Sequence, residues 1–293
     1  MLTLLLVAFA LVLLVLVVVP IALLRRRAGA GVTACTRNAA TDLLLSRPFV
    51  LVHAHADDEV MFFLPTLQLL RARLPPALYA QSTVVCLTSN PLLRATEYGA
   101  CAAQLLSLAP AQVRVVHCPV HNEPEGTCPE ATLVDVERET GLWDGFAHRY
   151  AAETVADVLV RALPRGLDWG AVNFVTFDAH GVSGHPNHID VARGVRHACS
   201  VHNATVFALD SVPCVVKYVP ALFAQRFAQG AGCGEKENKK EAEAVVAVCS
   251  ATARRTLLHA LRHVYRSQLV WYRCCFAVIS MYAYCNTLRI VHC

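Results

Sequence analysis

The sequence predicts an α/β fold, a mostly parallel sheet covered by helices and preceded by one N-terminal transmembrane helix. Three observations lead there. Short β-branched apolar runs alternate with helical patterns along most of the chain, the signature of a parallel sheet with helical crossovers. Of 293 residues, 55% are hydrophobic and only 16% charged, enough for one large core. The first two dozen residues are almost entirely apolar.

Residues 2–24, LTLLLVAFALVLLVLVVVPIALL, carry no charge. At ~1.5 Å per residue such a helix spans about 30 Å or slightly more, enough for a bilayer core. Pro20 is tolerable in a membrane helix. Arg25, Arg26 and Arg27 follow at once. A secretory signal would put its charge before a shorter apolar core, so residues 1–27 read as an uncleaved anchor. The positive-inside rule puts the Arg triplet, and everything after it, in the cytosol. Residues 28–47 read as a connector and 48–293 as one domain.

Within that domain, PFVLVHA (48–54) reads as a buried strand and 59–73 as a helix, with Pro65 near its start. STVVCLT (82–88) is a second strand, 92–108 a second helix, and QVRVVHC (112–118) a third strand. An amphipathic pattern over 146–163 predicts a further helix. AVNFVTF (171–177) is a fourth strand, 186–199 a helix, and ATVFALD (204–210) a fifth strand. Residues 229–243, Gly-rich and then charged, read as a surface loop. The apolar, aromatic stretch after 253 is interrupted by Arg273, which argues against a second span. It fits a core helix or a helix lying in the membrane interface.

The net charge of +4 is mild, and Lys and Arg form no stripe interleaved with aromatics, which argues against nucleic-acid binding. The 13 cysteines include no CxxC pair, so a cysteine zinc site is not expected. Scattered thiols fit a reducing compartment.

LVHAHADDEVMFF (51–63) sets Asp57, Asp58 and Glu59 beside His53 and His55 between two apolar segments. Three adjacent anions repel one another, more so when partly buried, and a cation would relieve them. Sites in open parallel sheets lie at the carboxyl ends of strands. That rule selects His55–Glu59 after the first strand and DAHGVSGHPNH (178–188) after the fourth. Two His and an Asp suit Zn²⁺ and leave an open position for water. On this reading His55, Asp58 and His188 are ligands of a divalent metal. Asp57 is a general base and His185 an oxyanion partner or acid. Ordinary helix capping by Asp57 or Asp58 is the alternative; it accounts for one of the three carboxylates and not for the second pair of His at the end of another strand. GVSGH (181–185) lacks the last Gly of a nucleophile elbow. HCPVH (117–121) is broken by Pro119. GAGCG (230–234) does not sit between a strand and a helix.

HADDEVMFF resembles the (A)HPDDE signature of the LmbE-like de-N-acetylases. VTFDAHGVSGHPNHIDV and the tail RSQLVWYRCCFAVISMYAYCNTL are similar to segments of that family's eukaryotic PIG-L branch. The likeness runs from about Phe49 to Leu288. It implies a Rossmann-like deacetylase, metal-dependent and most simply zinc-bearing. The branch removes acetate from N-acetylglucosaminylphosphatidylinositol in glycosylphosphatidylinositol anchor synthesis, at the endoplasmic reticulum membrane with its catalytic domain facing the cytosol. Carried over, His55, Asp58 and His188 are metal ligands, Asp57 the base and His185 the electrostatic helper. Arg94 and Glu97 match an R-x-x-E segment near the substrate pocket. Ala56 replaces the signature Pro, His180 a Gly, and Tyr265 a tail His. Two alternatives are a deacetylase of a soluble GlcNAc conjugate and a membrane-anchored scaffold without activity.

Overall fold

A computed structural model describes residues 34–35, 38–88, 92–118, 128–136, 142–218, 244–249 and 251–291. The expected anchor at 1–27, the 229–243 loop with its GAGCG segment, and residues 119–121 lie outside the described residues. Among the described residues no helix is long and apolar enough to cross a membrane.

Nine strands form one sheet: β1 Ala34–Cys35, β2 Phe49–His55, β3 Thr83–Thr88, β4 Val113–His117, β5 Thr132–Asp135, β6 Asn173–Phe177, β7 Thr205–Leu209, β8 Ala244–Val248 and β9 Cys285–Val291. Their order across the sheet is β1-β8-β9-β7-β6-β2-β3-β4-β5. The six strands from β7 to β5 run parallel, and β8 and β9 add an antiparallel edge. Every residue of β2 is buried, as expected for a strand covered on both faces. The sequence order reverses between β2 and β6, which are paired neighbours. That reversal opens a crevice at their carboxyl ends.

The helices are α1 Ala39–Leu45, α2 Asp58–Met61, α3 Leu64–Arg73, α4 Pro76–Ala80, α5 Leu92–Leu106, α6 Ala152–Ala162, α7 Gly181–Gly184, α8 Pro186–Val201, α9 Cys214–Tyr218, α10 Ala251–His259 and α11 Trp271–Ile279. The amphipathic face of α6 buries Val155, Val158, Leu159 and Ala162. It packs so closely on α8 that a Cβ at Gly194 would stand 2.3 Å from Val155.

Three expectations change. The expected connector at 28–47 contains α1, which belongs to the domain: Asn38 caps it and donates to Ala244 O of β8 at 2.8 Å, and Leu44 is buried. The helix expected over 59–73 breaks into α2 and α3. The rings of Phe62 and Phe63 pack against Phe177, while Asn286 donates to Phe62 O at 2.8 Å and accepts from Thr66 N at 3.1 Å. Pro65 then falls in the first turn of α3, where its missing N–H costs nothing. The helix expected from 146 begins at Ala152. The Asp190 carboxylate captures Tyr150 N at 2.9 Å and Arg149 through two 2.8 Å contacts, holding 149–150 out of the helix.

Candidate active site

The chain turns abruptly where β2 ends. Asp57 takes φ 106°, a left-handed conformation that costs a non-glycine residue roughly 1–3 kcal/mol. Two carboxylates hold the turn: Asp58 Oδ2 accepts from His55 N at 2.8 Å, and Glu59 Oε2 accepts from Asp57 N at 3.0 Å. Glu59 also accepts from the hydroxyl of buried Tyr265. Burial pushes the Glu59 carboxyl up to about 8, against the Tyr265 hydrogen bond. The third carboxylate therefore serves the turn. His53 points elsewhere, bonded to His55 O at 3.0 Å and Tyr98 Oη at 2.9 Å, and does not line the cavity.

The second cluster follows β6. Asp178 accepts from His180 N and Gly181 N, both at 3.0 Å, and from Ser211 N at 2.7 Å. Gly181 has φ +62°, and a Cβ there would lie 2.7 Å from His188 Cβ. A side chain at 181 would therefore push His188 out of place. His185 caps α8, its Nδ1 accepting from Asn187 N at 3.2 Å, so Nε2 carries the proton of the neutral ring.

The two clusters meet. His55 Nδ1 lies 3.1 Å from His188 Nε2 and 3.6 Å from Asp58 Oδ2, and His188 Nε2 lies 3.3 Å from Asp58 Oδ2. Tetrahedral ligands at ~2.0–2.1 Å from one ion stand about 3.4 Å apart, so these three atoms have the spacing of a shared metal. Their other atoms are oriented to suit. His188 Nδ1 is bonded to Gly181 O at 3.0 Å, and the ring stacks on Phe177 at 4.2 Å. His55 Nε2 lies 3.1 Å from Asp144 Oδ1 and 3.1 Å from Asn187 Oδ1. Such partners direct the opposite nitrogen of each ring inward. His55, His185 and His188 also offer nitrogens within 4.8 Å of one another, so a three-histidine set is a second possible arrangement. Buried Asp57 Oδ2 has no aligned hydrogen bond; Arg273 Nη1 is 2.7 Å away as a charge contact only. These donors fit a divalent cation.

The electrostatics agree. Burial opposes charge on His55, but the carboxylates of Asp144 and Asp58 outweigh it and raise its pKa to about 10. Burial disfavours an ionised Asp58, yet His188 and His55 hold it well below the usual carboxylate range. Asp57 is pushed up to about 7 by burial, with Arg273 opposing and the Asp58 charge assisting. Burial and the His55 charge lower His185 to about 4.

A cavity of about 490 Å³ opens over these groups. His55, Asp57, Asp58, His185 and His188 line its polar end, with Arg94 and Asp144 beside them; the remainder includes the rings of Phe146, Tyr218, Tyr272 and Phe276 and the polar Lys217, Gln268 and Arg273. Arg94 thus faces the cavity and pairs with Asp144 at 2.5 Å. Glu97 does not line it. Its oxygens accept from Ser267 N at 2.8 Å and Ser267 Oγ at 2.6 Å, anchoring the tail. Sequence reasoning missed Asp144, which has no motif around it. It read Arg273 only as a break in an apolar run. That isolated charge was the available signal, because a lone Arg in an apolar run calls for an anion.

A family profile described as PIG-L: GlcNAc-PI de-N-acetylase matches residues 50–199, just over half the chain. A relative in Schizosaccharomyces pombe, named a probable N-acetylglucosaminyl-phosphatidylinositol de-N-acetylase, is 25% identical over 261 residues, covering 88% of this chain and 92% of its own. Among solved structures, the chain resembles an antimicrobial-reagent pseudoaglycone deacetylase at TM-score 0.45 and 13% identity, covering 85% of this chain and 98% of that one. It also resembles a deacetylase of the teicoplanin biosynthesis pathway at TM-score 0.43 and 14% identity, covering 84% and 98%. With its signature residues gathered at the β2/β6 crevice and more than half its length matched, the chain belongs to the PIG-L family of GlcNAc-PI de-N-acetylases, hydrolases that cleave an amide.

Proposed function

We propose that this protein removes acetate from N-acetylglucosaminylphosphatidylinositol, using a divalent metal held by His55, Asp58 and His188. The supporting observation is the convergence of His55 Nδ1, Asp58 Oδ2 and His188 Nε2 within 3.1–3.6 Å, beside Asp57 Oδ2, which makes no hydrogen bond and only the charge contact with Arg273. Zinc suits two imidazoles and one carboxylate. When bound, such an ion polarises a carbonyl and lowers the pKa of water to about 7.

The side chains supply the rest. Asp57 accepts the proton of the attacking water; a base with a pKa near the working pH does this best. His185 presents its Nε2–H to the oxygen on which negative charge develops. Asp144 and Asn187 fix the ring of His55 through Nε2. Asp57 then returns its proton to the departing amine. Arg94 and the apolar cavity wall position the glucosamine and its lipid-bearing remainder. The uncharged run at 2–24 and the Arg triplet support a single-pass anchor in the endoplasmic reticulum membrane with this domain in the cytosol.

The test is release of labelled acetate from GlcNAc-phosphatidylinositol, with and without chelator, together with metal analysis of wild type and His188→Ala. The reading expects chelation to abolish release, zinc to restore it, and His188→Ala to carry no stoichiometric metal. Full activity after exhaustive chelation would remove the metal from the reaction.

A further inference from the structure

The surface beside the cavity mouth exposes more apolar side chain than solvation alone explains. Leu269, Val270, Trp271 and Tyr272 are consecutive and are 41%, 37%, 79% and 56% exposed. Helix α11 continues the stripe at Val278, 42% exposed, while Phe276 and Ala277 on its other side are buried. Positions 271, 272, 275 and 278 share one helical face. Contiguous exposed apolar patches mark contact surfaces rather than solvated ones.

This stripe is continuous with the cavity, because Tyr272 and Cys275 belong to both. Across the mouth, the ring of Tyr218 stands 6.4 Å from that of Phe276. Residues 251–293 include six Arg and neither Asp nor Glu. Arg273 and Arg289 are paired with Asp57 and Asp210, whereas Arg262 and Arg266 are exposed just before the stripe.

We infer that Leu269–Tyr272 and the outer face of α11 form a docking surface for an anionic lipid bilayer, seating the cavity mouth on the headgroups. Trp and Tyr favour the membrane–water boundary, where ring and polar tip are both satisfied. Flanking arginines add attraction to anionic headgroups. A protein partner on the same stripe would cover Tyr272 and Cys275 and close the mouth, whereas a bilayer presents headgroups to it. The inference shares with the proposed function only the idea that substrate enters from lipid.

The apolar N-terminal run makes bulk membrane partitioning uninformative, so the readout must be local. The full chain is reconstituted in vesicles of phosphatidylcholine and phosphatidylinositol whose acyl chains are brominated. Its Trp emission is compared with that of Trp271→Phe. Docking predicts strong quenching of the wild type and loss of most of it in Trp271→Phe, since Trp143 and Trp169 are only partly exposed. Equal quenching in both, or a Trp271 shielded from brominated lipid and aqueous iodide alike, overturns the inference; the latter points to a protein partner. In parallel, L269S/W271S/V278S is assayed on vesicle-borne GlcNAc-phosphatidylinositol and on water-soluble GlcNAc-inositol. The expected loss is roughly tenfold on the vesicles and less than about twofold on the soluble compound. Equal losses on both contradict docking. If wild type deacetylates neither compound, the functional reading fails and quenching alone still decides the docking.

Discussion

The proposed chemistry turns on Asp57. It is buried, strained at φ 106°, pushed up to about 7 by burial, and in charge contact with Arg273. If it acts as base rather than ligand, Asp57→Asn keeps stoichiometric metal and loses roughly 10²–10⁴-fold in kcat. Metal analysis beside the assay checks both halves, and loss of metal would make Asp57 a ligand. Arg273 opposes the protonation that burial favours. Arg273→Gln therefore raises the Asp57 pKa, and the acid limb of the kcat/KM profile moves to higher pH by roughly 1–3 units. An unmoved limb would mean that Arg273 does not tune the base. The His and Asp residues here were legible in the sequence because two short motifs carry them at the ends of predicted strands. Asp144 and Arg273 were not. Their roles depend on which loops meet over the crevice, and no local spacing encodes that.

Among the elements, α6 and α8 pack with no room for a side chain at Gly194. Gly194→Ala gains ~1 kcal/mol of helix propensity. The new Cβ, 2.3 Å from Val155, incurs overpacking of about 1–3 kcal/mol. The net effect is destabilising, and a lowered denaturant midpoint at unchanged slope would show it. Because α8 carries His188, affinity for the proposed metal should fall with it. The five parallel strands expected within 48–210 all appear, since buried β-branched runs announce themselves. The sequence did not reveal β9. Its residues, CNTLRIV, follow an aromatic run, and Asn286 is buried only because Phe62 and Thr66 offer it partners. The break at Phe62–Phe63 was hidden for the same reason. A helical pattern does not say when two rings pack better with the helix interrupted.

For the molecule as a whole, the buried charges of the site make stability depend on pH. Asp57 and Glu59 have folded pKa values of about 7 and about 8, above their ordinary 3.8 and 4.5. Both bind protons more tightly when folded, so their contribution falls as pH rises from the ordinary value through the folded one. His55, raised from 6.5 to about 10, stabilises fully below 6.5 and loses that contribution as pH climbs towards 10. The chelated protein should therefore be less stable to denaturant at pH 9 than at pH 6, and added zinc should restore more stability at the higher pH. Equal metal-free stability at both would mean that these groups are not buried as described.

The place of β9 in the sheet has a consequence for biosynthesis. Among the described strands, β8 pairs only with β9 and β1, and β9 alone links that edge to β7. A chain emerging from a ribosome can pair its parallel strands as they arrive, but β8, whose earlier partner is the two-residue β1, must keep its other edge open and sticky until the later strand slides in between. That interval is when the nascent protein most needs a chaperone.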